Sequence, residues 1–170
     1  MSKRDRVVVT LAGGAMGLVT AVGLARSANA ELLSHKDLTL VVAKTIVETA
    51  IADCKAKGYA VSAVVVGRDG ETLVAMRGDN ASPHTLENAR RKAYTARSFR
   101  QSTTAYAKRF AENDPTVRQQ VTLPNVIAIP GGLPIKVGDD IIGGVGLSGS
   151  PGVDEPCVQA GLDKVADELK

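Results

Sequence analysis

Between positions 38 and 57 apolar residues recur at Val42, Ile46, Ala50 and Cys54, and again at Ala43, Val47 and Ile51, which is the spacing of one helical face. Gly58 stops that helix. The period then changes. Residues 60–68 are β-branched and apolar, Asp69-Gly70 is a tight-turn signal, and residues 72–77 alternate as a returning strand, so a hairpin follows the first helix. Ser82-Pro83 reads as an N-cap with proline in the first turn of a helix through Glu87, Ala89, Ala93 and Ala96. A second helical piece spans 104–111, ended by Asp114-Pro115.

Strand signals return after that. Residues 126–129 read as a buried strand, Pro130-Gly131-Gly132 as a turn, 133–137 as a strand, Gly138-Asp139-Asp140 as a second turn and 141–147 as the last strand. Residues 154–169 close the chain as a helix with Pro156 in its first turn and Val158, Leu162, Val165 and Leu169 on one face. Strands that follow one another through tight turns predict an α+β domain. Its centre is an antiparallel sheet of about five strands flanked by helices, not a doubly wound parallel sheet.

The first thirty residues have another order: Lys3, Arg4 and Arg6, an apolar run over 7–25, then Ser27-Ala28-Asn29-Ala30. This is the layout of a secretory signal peptide, with cleavage expected after Ala30. An uncleaved membrane anchor is the alternative, since the run approaches the ~20 residues that a spanning helix needs. Four glycines and two threonines within it argue against an anchor. The expected mature chain is therefore one domain, residues 31–170, in the periplasm or outside the cell.

Removing the leader changes the charge. It takes Lys3, Arg4, Arg6 and Arg26 from the 21 basic residues and Asp5 from the 18 acidic ones, leaving 17 of each. The pI near 8.9 belongs to the leader, and no electrostatic case for nucleic acid survives. In an oxidising compartment the two cysteines, Cys54 and Cys157, are either a disulfide or two buried thiols.

Several motifs fail on context. Gly144, Gly146 and Gly149 match the spacing of a dinucleotide fingerprint, yet the chain ends before a βαβ unit could be completed. Glycines in a strand where another backbone comes close explain them better. Glu155-Pro156-Cys157 is half of a zinc-deaminase signature whose other half is missing. No Gly-x-Ser-x-Gly elbow occurs. What remains is the stretch from Arg77 to Thr104, crowded with Asp79, His84, Glu87, Arg90, Arg91, Lys92, Tyr94 and Arg97. A helix start disfavours an imidazolium at His84, and a neutral imidazole is what a metal or haem iron requires. A plain surface histidine fits the same position. Arginine is the natural partner of a carboxylate or propionate.

The run Arg68-Asp69-Gly70-x-Thr72-Leu73-Val74-x-x-Arg77-Gly78-Asp79-x-Ala81-x-Pro83, continued by Glu87-x-Ala89-x-Arg91-Lys92-Ala93-x-Thr95-Ala96, resembles the GlcG/HbpS family of small haem-binding proteins, nearest its secreted HbpS type. Gly131-Gly132-Leu133-Pro134-Ile135 and Ile142-Gly143-Gly144-Val145-Gly146-Leu147-Ser148-Gly149, with Asp154 and Ala160-Gly161 beyond, extend the match over nearly the whole domain. Where the family has Asp-Gly-Ala this chain has Asp79-Asn80-Ala81.

The resemblance implies a profilin-like fold, a homo-oligomer and haem binding in sensing, storage or degradation. On that basis His84 is expected to ligate or lie against the iron, with His35 as the other candidate. Arg90, Arg91 and Lys92 would meet the propionates, and Tyr94 and Phe99 would flank the macrocycle. Two other readings stay open. One is an enzyme acting on a small hydroxy or keto acid, with Arg77 and Arg91 clamping a carboxylate and His84 as acid or base. The other is a non-catalytic partner of a membrane sensor.

Overall fold

A computed structural model describes residues 32–170, and the expected signal peptide lies outside the described residues. The compact unit is His35–Lys170. Its elements run α1 (Leu40–Ala56), β1 (Ser62–Val66), β2 (Thr72–Arg77), α2 (Thr85–Phe99), α3 (Thr103–Ala111), α4 (Pro115–Gln120), β3 (Gly132–Val137), β4 (Asp140–Ser148) and α5 (Asp154–Lys164).

The strands form one antiparallel sheet in the order β2-β1-β4-β3. Helices α1 and α5 cover one face, and α2 packs against the other. Because both faces are covered, central β1 is buried at every position instead of alternating. Its side chains still sort by pleat. Ala63 and Val65 join Ile46, Val47, Val145, Leu147 and Val158 under α1 and α5, whereas Val64 and Val66 meet Ala89 and Ala93 of α2. Pro134 sits in β3, an edge strand, where its missing N–H costs nothing.

Glycine sets how closely α2 approaches. A Cβ on Gly146 would stand 2.2 Å from the Ala89 carbonyl oxygen, and one on Gly144 would stand 2.3 Å from that of Ala93. The fingerprint-like glycines are thus the seat of a helix on a strand, as strand glycines with a close backbone neighbour were expected to be.

Three elements differ from expectation. Residues 126–129 form no strand, so the sheet has four strands among the described residues. Their polar backbone is taken up by α2 side chains: Ile127 N–H donates to Thr95 Oγ1 at 2.9 Å, and Arg91 donates to the Val126 carbonyl at 2.6 Å. Asp114-Pro115 ends α3 but also opens α4, because Asp114 Oδ1 accepts from Thr116 N and Val117 N. The last helix stops at Lys164, and turns follow to Leu169.

The cysteines are joined. Cys54 of α1 and Cys157 of α5 form a disulfide across a Cα–Cα distance of 5.6 Å, which closes the question left open between bridge and thiols.

Candidate functional site

Helix α2 begins one residue after His84, not at Ser82. His84 is the N-cap, exposed, and its ring makes no capping bond to the helix. Ser82 instead closes the preceding turn by accepting from Thr85 N at 3.1 Å and Thr85 Oγ1 at 2.7 Å. That spends the Thr85 hydroxyl proton, so the buried Ser62 hydroxyl, 2.8 Å away, is the donor in their contact. The turn that carries His84 is thereby tied to β1. Asn80 just before it has φ 63°, a left-handed position that asparagine tolerates.

His84 stands on the wall of a cleft of about 450 Å³ between the start of α2, the 129–130 segment and the β4–α5 loop. Asn88, Lys92, Ser148 and Asp154 line it with His84, and Ile129, 41% exposed, supplies part of an apolar rim. Its floor is an ion pair. Lys92, 1% exposed, donates to Asp154 Oδ2 at 2.7 Å and to the Leu147 carbonyl at 2.9 Å. Asp154 Oδ1 accepts from Ser150 N and Ser150 Oγ, at 2.9 and 2.7 Å. Burial pushes the Lys92 ammonium below the ordinary lysine range, partly offset by Asp154 and then Glu155.

Of the other expected site residues only Lys92 lines the His84 cleft. Lys92 is inside, its charge met by Asp154, and does not share a surface with Arg90 and Arg91. Arg90 holds Glu87 at 2.7 Å and Asn125 Oδ1 at 2.8 Å. Its guanidinium keeps the Glu87 carboxyl below the usual range. Arg91 holds the Val126 carbonyl, so both arginines pin the 125–129 segment to α2.

Phe99 stacks on Tyr106 at 4.7 Å, in a cluster with Val117 and Val126 against which Tyr94 also packs. His35 Nε2 is 3.1 Å from Asp37 Oδ2, and Asp37 in turn meets Arg68, which reaches Asp140. Arg77 donates to the Ala81 carbonyl and lines a second cleft with Tyr59 and Asp79, so it does not form one clamp with Arg91. Among the described residues no three His, Cys, Asp or Glu side chains gather as a metal site.

Sequence reading missed the Lys92–Asp154 floor because the partners are 62 residues apart. A signal was present: Lys92 falls on the stripe Ala89, Ala93, Ala96, all buried, and a charge on an apolar helical face calls for a partner.

Comparison with known proteins agrees with this architecture. The family model described as "Haem degrading protein HbpS-like" matches residues 38–163. Protein GlcG of Escherichia coli K12 is 30% identical over 111 residues, 65% of this chain and 81% of that protein. The crystal structure of a double mutant of Streptomyces reticuli HbpS superposes with a TM-score of 0.74 at 34% identity, covering 89% of this chain and 99% of that one. The PduOC:heme complex superposes at 0.67 with 21% identity, covering 75% and 94%, which is a likeness of fold. With the family model spanning most of the compact unit and the sheet, helices and glycine seat in place, the chain belongs to the GlcG/HbpS family of HbpS-like haem-degrading proteins.

Proposed function

We propose that this protein is exported and binds haem at the cleft headed by His84, working in haem sensing, storage or degradation. The observation that carries the reading is the His84 ring, exposed at the N-cap of α2 and unspent on capping, beside an apolar rim that includes Ile129, Pro130 and Pro151. Those residues fit haem in kind, with an imidazole for the iron and aliphatic surface for the macrocycle. His35, engaged by Asp37, is the weaker candidate. Bound haem would supply the iron-centred redox and ligand chemistry. The chain's own part is to hold the ring, shield one face and keep the polar floor of Lys92, Asp154 and Ser148 dry.

An open cleft covers only one side of a macrocycle, so a second copy of the chain would close the other. A homo-oligomer is therefore part of the proposal. Arg90 and Arg91 would reach propionates only by releasing Glu87, Asn125 and the Val126 carbonyl, so their role there is secondary. Export is supported by the leader-like order of residues 1–30 and by a disulfide that persists in oxidising compartments.

A haemin titration of residues 31–170, followed in the Soret band, tests the reading. Saturation near one haem per subunit or subunit pair is expected. His84→Ala should shift the band and weaken binding by about tenfold or more. An unsaturable spectrum ends the haem reading, and an unchanged spectrum in the variant removes His84.

A further inference from the structure

The floor of the His84 cleft presents a primary amine. Lys92 Nζ is held from two sides, by Asp154 and the Leu147 carbonyl, and Lys92 is among the residues lining the cleft of about 450 Å³. Beside it Gly131 has no side chain, and a Cβ there would come within 2.8 Å of Nζ. Gly131 therefore lies close against the amine on that flank, and with Asp154 it also lines a smaller recess of about 140 Å³. A lysine that served only to tether α2 to the β4–α5 loop would be served as well by closed packing. This one lines a cavity whose wall also holds Ser148 and Asn88.

We propose that the cleft captures a small uncharged carbonyl compound, a short-chain aldehyde, as a reversible imine on Lys92 Nζ. Imine formation needs a free amine, a base to take its proton and a space without bulk water. Burial lowers the ammonium's hold on its proton, and Asp154 Oδ2 at 2.7 Å is placed to receive it. Nζ then adds to the carbonyl carbon, the C=O electrons pass to oxygen, and that oxygen takes the proton back. Asp154 next takes a proton from the carbinolamine nitrogen and passes it to the hydroxyl, which leaves as water while the freed nitrogen lone pair completes the C=N bond. The positive charge thus stays on the iminium beside the Asp154 carboxylate. One water leaves, nothing is oxidised or reduced, and hydrolysis runs the same steps in reverse. Asp154 also selects against oxo acids, whose carboxylate would be brought against its own.

Trapping with propanal and sodium cyanoborohydride tests this on the purified protein at neutral pH, the site of modification being read by mass spectrometry of a peptide digest. Reduction of the imine leaves a propyl group on the nitrogen. Label is expected on Lys92 first, about tenfold or more ahead of Lys44 and Lys108, which are exposed and paired with Glu48 and Glu112. Lys92→Arg should keep the cation and lose that label. Label on Lys44 and Lys108 with Lys92 unmodified overturns the proposal. The wild-type digest is sufficient for that outcome, so a poorly folded variant does not decide it. The haem reading is judged apart, by the Soret titration: either result stands whatever the other shows.

Discussion

At the scale of single residues, charge is spent in two ways. Lys92 and Asp154 face each other inside the domain, where each removes the cost of burying the other. Asp154→Ala would leave a buried cation and strip Ser150 of its acceptor. A loss of about 3–5 kcal/mol in urea unfolding is expected, partly recovered when Lys92→Met is added. A small loss that the second substitution does not reduce would mean the pair is not coupled.

At the surface, Arg68 holds the Asp140 carboxyl below its ordinary value of 3.8. A folded pKa below the unfolded one gives stability present above 3.8 and lost as pH falls through the folded value. Asp140→Asn should therefore be less stable than wild type at neutral pH, with the gap between urea midpoints closing in acid. A gap that persists in strong acid would assign the loss to something other than charge.

His84 was legible as a candidate because the start of its helix was readable to within two residues, Ser82 being expected as the cap that His84 is. The floor beneath it was not, since Lys92 stands in sequence beside Arg90 and Arg91 and shares nothing with them in space.

At the scale of elements, the contact between α2 and β4 organises the site, because it fixes His84 at one end of the helix and Lys92 in its middle. Gly144 and Gly146 set its closeness. Gly146→Ala would press a methyl into the Ala89 carbonyl and the Ala93 amide, 2.2 and 2.6 Å away, so strand and helix would have to part. A destabilisation of about 3 kcal/mol is expected from urea unfolding, at the upper end for overpacked cores. A neutral result would show that α2 shifts freely.

Most elements are readable from the chain. The period changes from helical to alternating where α1 gives way to the β1–β2 hairpin, and Gly70 takes φ 82° in the turn that Asp69-Gly70 announces. Residues 126–129 mislead because a short apolar run looks the same whether its backbone pairs with a strand or with side chains. Here Thr95 and Arg91 take the place of the strand. Helix α4 escapes a sequence reading because Asp114-Pro115 carries both meanings, a stop for α3 and a cap and first turn for α4.

At the scale of the whole molecule, the antiparallel order and the helix-covered faces follow from the succession of turns, whereas the covalent closure does not. Residues 103 apart carry no local sign that they meet. They meet because α1 and α5 lie side by side on one face of the sheet, with Cys54 and Cys157 fully buried among Ala50, Ile46 and Val158. Ser150 Oγ lies 3.1 Å from Cys54 Sγ and holds Asp154, so the bridge also backs the loop that carries the cleft's floor. Closing a loop of that length takes entropy from the unfolded chain worth about 4–5 kcal/mol in the chain-entropy account. Since the same two helices are also joined by apolar packing, the domain should still fold without the bridge, but from a lower stability. Urea unfolding of the oxidised protein, the reduced protein and the Cys54→Ala/Cys157→Ala pair should show both modified forms losing about 3–5 kcal/mol while keeping one cooperative transition. Equal midpoints in all three would mean that packing alone fixes α1 against α5, and the disulfide would then no longer count as support for export.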